Sequence, residues 1–201
     1  MAGTVIRLAP IFRSGLCAFS LSIYRPISSI RGGLLLASAE QFKTDKSQRY
    51  CVIDDNERLD FIPALFFTPT ADNMIASWLR QRSDYDGGFW NYWIIPQGVG
   101  GNVAPNKIIF TTTQTGYIAP AGEQRYNMCI PGNYFESEVS ADAAGIIATL
   151  MIMNWLSWQA ADMGTEYAKV CKYLVARQDA LKDYVSIIQH PERGLIWRAI
   201  D

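Results

Sequence analysis

The segment that most constrains this chain is Val139–Leu150, VSADAAGIIATL, where a helix-start signal runs straight into a long apolar stretch almost free of charge. Ser140 carries the short hydroxyl that caps a helix by accepting a backbone N–H. Asp142 sets a carboxylate in the first turn, against the positive end of the helix dipole. Ile146, Ile147, Leu150 and Met151 follow at helical spacing, which predicts a largely buried helix.

That helix is expected to run from Ala141 to about Met163, and a second from Thr165 to about Gln189, with Gly164 as the stop and Thr165 as the cap between them. Trp155 and Trp158 read as core packing on the first. On the second, Tyr167, Val170, Cys171, Leu174, Leu181, Tyr184, Val185 and Ile188 share a face, and Lys169, Lys172, Arg177, Lys182 and Asp183 point outward. Pro191 starts a last short helix through Leu195, Ile196, Trp197 and Ile200. Upstream, Asn56 caps a short helix carrying Leu59, Phe61, Ile62, Leu65 and Phe66, bent or shortened at Pro63. Asp72 to Arg82 is amphipathic, with Met74, Ile75, Trp78 and Leu79 opposite Arg80 and Arg82.

Between these helical regions the period changes. Asp86, Gly87 and Gly88 form a turn, and Phe89 to Ile95 reads as an aromatic-rich strand. Lys107–Thr113, Tyr117–Ala119, Gln124–Ile130 and Tyr134–Val139 are further strands, separated by Pro120, Gly122, Pro131 and Gly132. Close spacing with turn residues between strands implies an antiparallel meander. Strands grouped before the two long C-terminal helices give an α+β fold: an antiparallel β meander packed with several α-helices.

A chain of 201 residues, 49% hydrophobic and 18% charged, is sized and composed for one globular domain. Its net charge of −1 conceals an asymmetry. Residues 1–39 hold Arg7, Arg13, Arg25 and Arg31 and no acid, so the remainder carries 14 bases against 19 acids. A mildly acidic domain without a basic stripe is not expected to bind nucleic acid directly. Nor are its acids dense enough to imitate DNA, which carries about one charge per 1.7 Å of duplex axis.

Residues 1–50 are expected to form an N-terminal extension, poorly packed, and residues 51–201 the domain, with the polar stretch Lys43 to Asn56 as linker. For the extension, a signal peptide, a transit-like leader and an upstream start codon compete. The A-x-A-like pattern in Leu34–Glu40 is preceded by an apolar run broken at Arg25, Pro26 and Arg31, which disfavours the first. No run reaches the roughly 18 apolar residues of a membrane span. Cys17, Cys51, Cys129 and Cys171 form no C-x-x-C pair; free thiols in a cytoplasmic protein, with no metal and no cofactor, are the expectation.

Catalytic motifs are sparse. The single histidine, His190, precedes Pro191 and is read as a helix-junction cap before a general base. Asp86, Glu136, Glu138 and Asp142 are carboxylates that could pair for acid–base work, but turn and cap roles account for Asp86 and Asp142. Trp90 and Tyr92 alternate in direction with Trp93 along their strand. Either one set is exposed as a protein-binding patch, or helices cover both faces.

Four segments in order carry a family resemblance: ERLDFIPALFF at Glu57–Phe67, YDGGFWNY at Tyr85–Tyr92, Val139–Leu150, and HPERGLIWRAID at His190–Asp201. Together they resemble the ArdB/KlcA family of antirestriction proteins of plasmids and other mobile elements. The resemblance implies a non-enzymatic protein that relieves type I restriction of incoming DNA in the bacterial cytoplasm, with a type I restriction enzyme or an associated host protein as partner. A small enzyme with an acidic pocket and a general interaction module are the rival readings. The surface residues to test are Tyr85, Asp86, Trp90, Tyr92, Trp93, Asp142 and Asp201. One departure stands out: both GGNVAP (residues 100–105) and TGYIAP (residues 115–120) fit the family's Ala-Pro element, and either choice requires about 15 inserted residues, read as an extra hairpin.

Overall fold

The computed structural model describes residues 42–44 and 48–201. The readings of Cys17 and of the Leu34–Glu40 pattern lie outside them. Among the described residues, five α-helices pack with three small antiparallel sheets. The largest orders β1 (Phe42–Thr44), β2 (Tyr50–Val52), β3 (Trp90–Ile95) and β6 (Thr115–Pro120) side by side. The other two are hairpins, β4 (Gly100–Ala104) with β5 (Lys107–Phe110) and β7 (Arg125–Ile130) with β8 (Phe135–Ser140). Every pairing is antiparallel. The strands do not form one continuous ladder, because β4–β5 stands apart as the extra hairpin and lets TGYIAP pair directly with β3.

The linker expected over Lys43 to Asn56 contains a strand. Tyr50–Cys51–Val52 is a short β-prone run hidden between charged neighbours, and it pairs with β3 at Tyr50–Ile94 and Cys51–Trp93. The boundary at residue 50 thus falls inside β2. Helix α1 (Asp55–Phe66) is capped by Asp54, not Asn56: the Asp54 carboxylate accepts from the N–H groups of Asn56 and Glu57 at 2.8 and 3.2 Å. It continues through Pro63, with Leu59 on the solvent side. Helix α2 (Ala71–Arg82) buries Ile75, Trp78 and Leu79.

Helix α3 (Ala141–Asp162) starts at Ser140, whose Oγ accepts the Ala143 N–H at 3.2 Å. It lies through the centre of the core, with Ile146, Ile147, Ala148 and Met153 fully buried. Gly145 permits its close approach to β6, since a Cβ there would stand 2.4 Å from Ala119 Cβ and 2.5 Å from Ile118 O. One turn on, Thr149 Oγ1 accepts the Ile118 N–H of β6 at 3.4 Å. Every residue of β6 is buried. Trp158, expected in the core, is instead 44% exposed, whereas Trp155 is partly buried against the core.

The second long helix, α4, is shorter than expected, Ala168–Ile187, preceded by a 3-10 turn over Thr165–Tyr167 without a side-chain cap. Arg177 does not point outward. Its Nη1 donates to Leu65 O at 2.6 Å, its guanidinium lies 4.6 Å from the Phe67 ring centroid, and its carbonyl accepts from Thr115 Oγ1 at 2.9 Å. Burial lowers its pKa to about 10, so the group stays charged at neutral pH and ties α4 to α1 and β6. The last helix, α5 (Arg193–Ile200), begins after Pro191 rather than at it. No helix among the described residues is long and apolar enough to cross a membrane.

Candidate functional site

Two of the signature segments, far apart in sequence, meet at the start of α3. Ser140 ends β8 with an extended backbone, so its side chain can cap α3 while reaching the segment after α4. Its Oγ donates to Glu192 Oε2, and its backbone N–H donates to the same carboxylate at 3.0 and 3.2 Å, across 52 residues. Asp142, half a turn on, collects three donors. Arg49 Nη1 and Tyr117 Oη reach Oδ1 at 2.7 and 2.8 Å, and His190 Nε2 reaches Oδ2 at 3.3 Å.

The imidazole is oriented from both sides. His190 Nδ1 accepts the Glu192 backbone N–H at 3.0 Å, so the neutral ring with its proton on Nε2 satisfies both bonds. Arg49 lies over Trp93, with 3.9 Å from its guanidinium carbon to the ring centroid, and Trp93 stacks on Tyr117 at 6.5 Å. The cation is thus held by a carboxylate on one side and an aromatic face on another. Arg125 closes the outer rim, its Nη2 donating to Glu192 at 2.8 Å and its Nε pairing with Glu138.

Burial pushes the Glu192 carboxyl upward, but the hydrogen bonds from Ser140 and the Arg125 pairing outweigh it and hold the pKa below the ordinary value. A depressed folded-state pKa gives stability that is present above the unfolded value and is lost as pH falls through the folded one. Acid titration monitored by circular dichroism is therefore expected to show Glu192→Gln less stable than the parent at neutral pH. The difference should shrink as the solution becomes more acidic than about pH 4.3. A constant gap across that range would mean the carboxylate's charge contributes nothing.

Of the residues singled out from sequence, the structure brings Trp93 and Asp142 into this cluster. Tyr85 and Trp90 form a second, aromatic group: Tyr85 is buried, with ring centroids 5.3 Å from Trp90 and 5.7 Å from Tyr126. Burial raises the Tyr85 hydroxyl's pKa against the pull of Arg80. Tyr92 meets Phe61 of α1 edge-on at 5.7 Å, under Arg58. Trp90, Tyr92 and Trp93 are each half-buried against these neighbours, and Phe89, just before β3, is 88% exposed. Asp86 sits exposed beside Gly87 and Gly88, whose φ values of +146° and +136° keep that turn to glycine. Asp201 is exposed at the end of α5 and takes no part in the Asp142 cluster.

Arg49, Tyr117, Arg125 and Glu192 escaped the sequence reading as site residues, and His190 is read there as a helix-junction cap. The available signal was the pairing of signatures: Ser140 and Asp142 belong to one, His190 and Glu192 to the other. An open cavity of about 770 Å³ is lined by Asn102–Asn106, Ile108, Gln189 and Arg193, none of them a carboxylate. Around Asp142, the carboxylate oxygens and both imidazole nitrogens are engaged by this chain's own groups.

A family model described as antirestriction protein matches residues 107–201. The antirestriction protein KlcA of Escherichia coli is 31% identical over 154 residues, covering 75% of this chain and 92% of its own length. The putative antirestriction protein YubI of Escherichia coli (strain K12) is 30% identical over 155 residues, covering 74% of this chain and 93% of its own. A solved structure matches with a TM-score of 0.53 at 27% identity, over 79% of this chain and 99% of that one. It belongs to work on KlcA and ArdB describing a novel fold and antirestriction activity against type I DNA restriction systems in vivo but not in vitro. With the α+β architecture shared and 31% identity to KlcA across 75% of the sequence, the chain belongs to the antirestriction protein family of KlcA and ArdB.

Proposed function

We propose that this protein relieves type I restriction of incoming DNA, acting in the bacterial cytoplasm on a type I restriction enzyme or an associated host protein and so protecting a mobile element. The observation that carries the reading is the convergence of two signature segments, Val139–Leu150 and His190–Asp201, on one bonded cluster around Asp142. A cluster whose polar groups satisfy one another fixes the shape of a surface and leaves little to react with a substrate. That favours a non-catalytic route.

Charge supports a route other than DNA imitation. A mimic needs unpaired acids in series, whereas Asp142 is spent on Arg49, Glu138 and Glu192 on Arg125, and Asp55 on Arg58. Antirestriction activity against type I DNA restriction systems in vivo but not in vitro, described for the KlcA and ArdB proteins, fits a target or state that exists only in the cell.

Transfer of unmodified DNA into cells with and without an active type I system tests the proposal. Expression of this protein is expected to restore recovery in the restricting cells and leave the non-restricting cells unchanged. Equal recovery with and without the protein in restricting cells would overturn it.

A further inference from the structure

The β4–β5 hairpin pairs only with itself among the described residues. Its inner side rests on the domain: Val103 and Ile109 pack against the core, and Gly101 approaches Ile187 so closely that a Cβ would lie 2.8 Å from that side chain. Its outer side carries Ile108 and Phe110, 59% and 58% exposed, with the Phe110 ring laid over Gly100.

The direction of the β5 backbone follows from Thr111. Its N–H donates to Val99 O at 2.8 Å and its carbonyl accepts from Gly98 at 2.9 Å, both toward the β4 side. Polar groups alternate sides along an antiparallel strand, so Ile109 also faces β4, and the N–H and C=O of Ile108 and Phe110 point away from it. An exposed edge flanked by large apolar side chains is a template for another strand. Natural edges are usually blunted by charge, and β5 carries only Lys107, at its start.

We propose that β5 is a self-association edge, through which two copies of this chain pair antiparallel about a two-fold axis at Ile109. The register is self-complementary. Ile108 of each copy lies opposite Phe110 of the other, the outward backbone groups of both are exchanged, and the exposed apolar side chains meet as cross-strand pairs. Lys107 falls opposite Thr111, so no like charges face one another. Ile108 also stands on the rim of the open cavity of about 770 Å³, which leaves room beside it for the second copy's Phe110 ring. A two-fold contact consumes both β5 edges and stops at the dimer.

Strands this short bury less than the ~1,200 Å² of a stable interface, so the expected association is weak, with a dissociation constant on the order of 100 µM. Sedimentation equilibrium of the full chain, under reducing conditions from ~10 µM to ~1 mM, is expected to show a monomer–dimer equilibrium. Ile108→Pro removes an outward N–H while sparing the bonds to β4, and Ile108→Lys sets a charge against the apolar pairs. Each is expected to weaken association at least ~10-fold with the melting temperature retained. Should the proline variant lose melting temperature, the lysine variant decides alone. A chain monomeric throughout that range, or one whose association survives Ile108→Lys, overturns the proposal.

Discussion

Gly145→Ala is expected to destabilise this protein by about 3 kcal/mol, although alanine is the better helix former by roughly 1 kcal/mol. A steric clash opposes the gain in helix propensity and is the larger effect. A methyl group at 145 would meet Ala119 Cβ at 2.4 Å, Ala119 Cα at 2.5 Å and Ile118 O at 2.5 Å. Two of these three are backbone or Cα atoms of a buried strand, which no rotamer change can move aside. Relief requires α3 to withdraw from β6, breaking the Thr149–Ile118 hydrogen bond and opening gaps along a core packed at crystal-like density. Thermal unfolding should therefore drop by roughly 6–12 °C. An unchanged or raised melting temperature would mean the helix and strand are not in contact at this point.

Asp142→Ala comes next in size. It strips a shared acceptor from Arg49, Tyr117 and His190 and removes the acid from the first turn of α3. Breaking a fully buried ion pair costs about 3–5 kcal/mol, but the Asp142 side chain is 29% exposed. Water can reach the orphaned donors, and a loss of about 2 kcal/mol is the expected result in urea denaturation. Asp142→Asn keeps the shape and one acceptor oxygen and should cost less. Running both variants through the DNA-transfer assay separates the roles of this residue. If the asparagine variant stays folded but loses relief of restriction, the carboxylate belongs to the acting surface. If activity follows melting temperature in both, its work is to hold the fold.

What could be read from sequence was local. Ser140 as the cap of α3, the apolar run behind it and the aromatic strand read at Phe89–Ile95 all depend on residues within a few positions of each other. The structure reproduces them nearly residue for residue. Errors arose where two local signals competed. Asp54 and Asn56 both suit an N-cap, and the acid nearer the chain's entry took the role. Tyr50–Val52 is a strand because β3 offers it an edge, a fact absent from its own charged surroundings. Arg177 looks solvent-facing by composition, yet Leu65 O and the Phe67 ring give its guanidinium a buried berth.

The site was half legible for the same reason. Trp93 and Asp142 were identified as separate surface candidates, and Asp142 had a sufficient explanation as a helix-dipole acid. Its bonds run 93 residues back to Arg49 and 48 residues forward to His190, distances over which spacing carries no information. The missing link is a contact in space: the segment bearing Ser140 and Asp142 is hydrogen-bonded to the one bearing His190 and Glu192.

The hydroxyl of Thr149 has a further consequence. By occupying the Ile118 N–H it denies the β6 edge to any incoming strand, and α3 stands where such a strand would lie. The four-stranded sheet therefore cannot grow on its β6 side. Fibril-like stacking needs strands added on both sides of each layer, so a chain folded this way is terminated on one flank by its own central helix. Replacing that hydroxyl by a methyl group would leave the Ile118 N–H buried without its partner, while α3 would still bar an incoming strand.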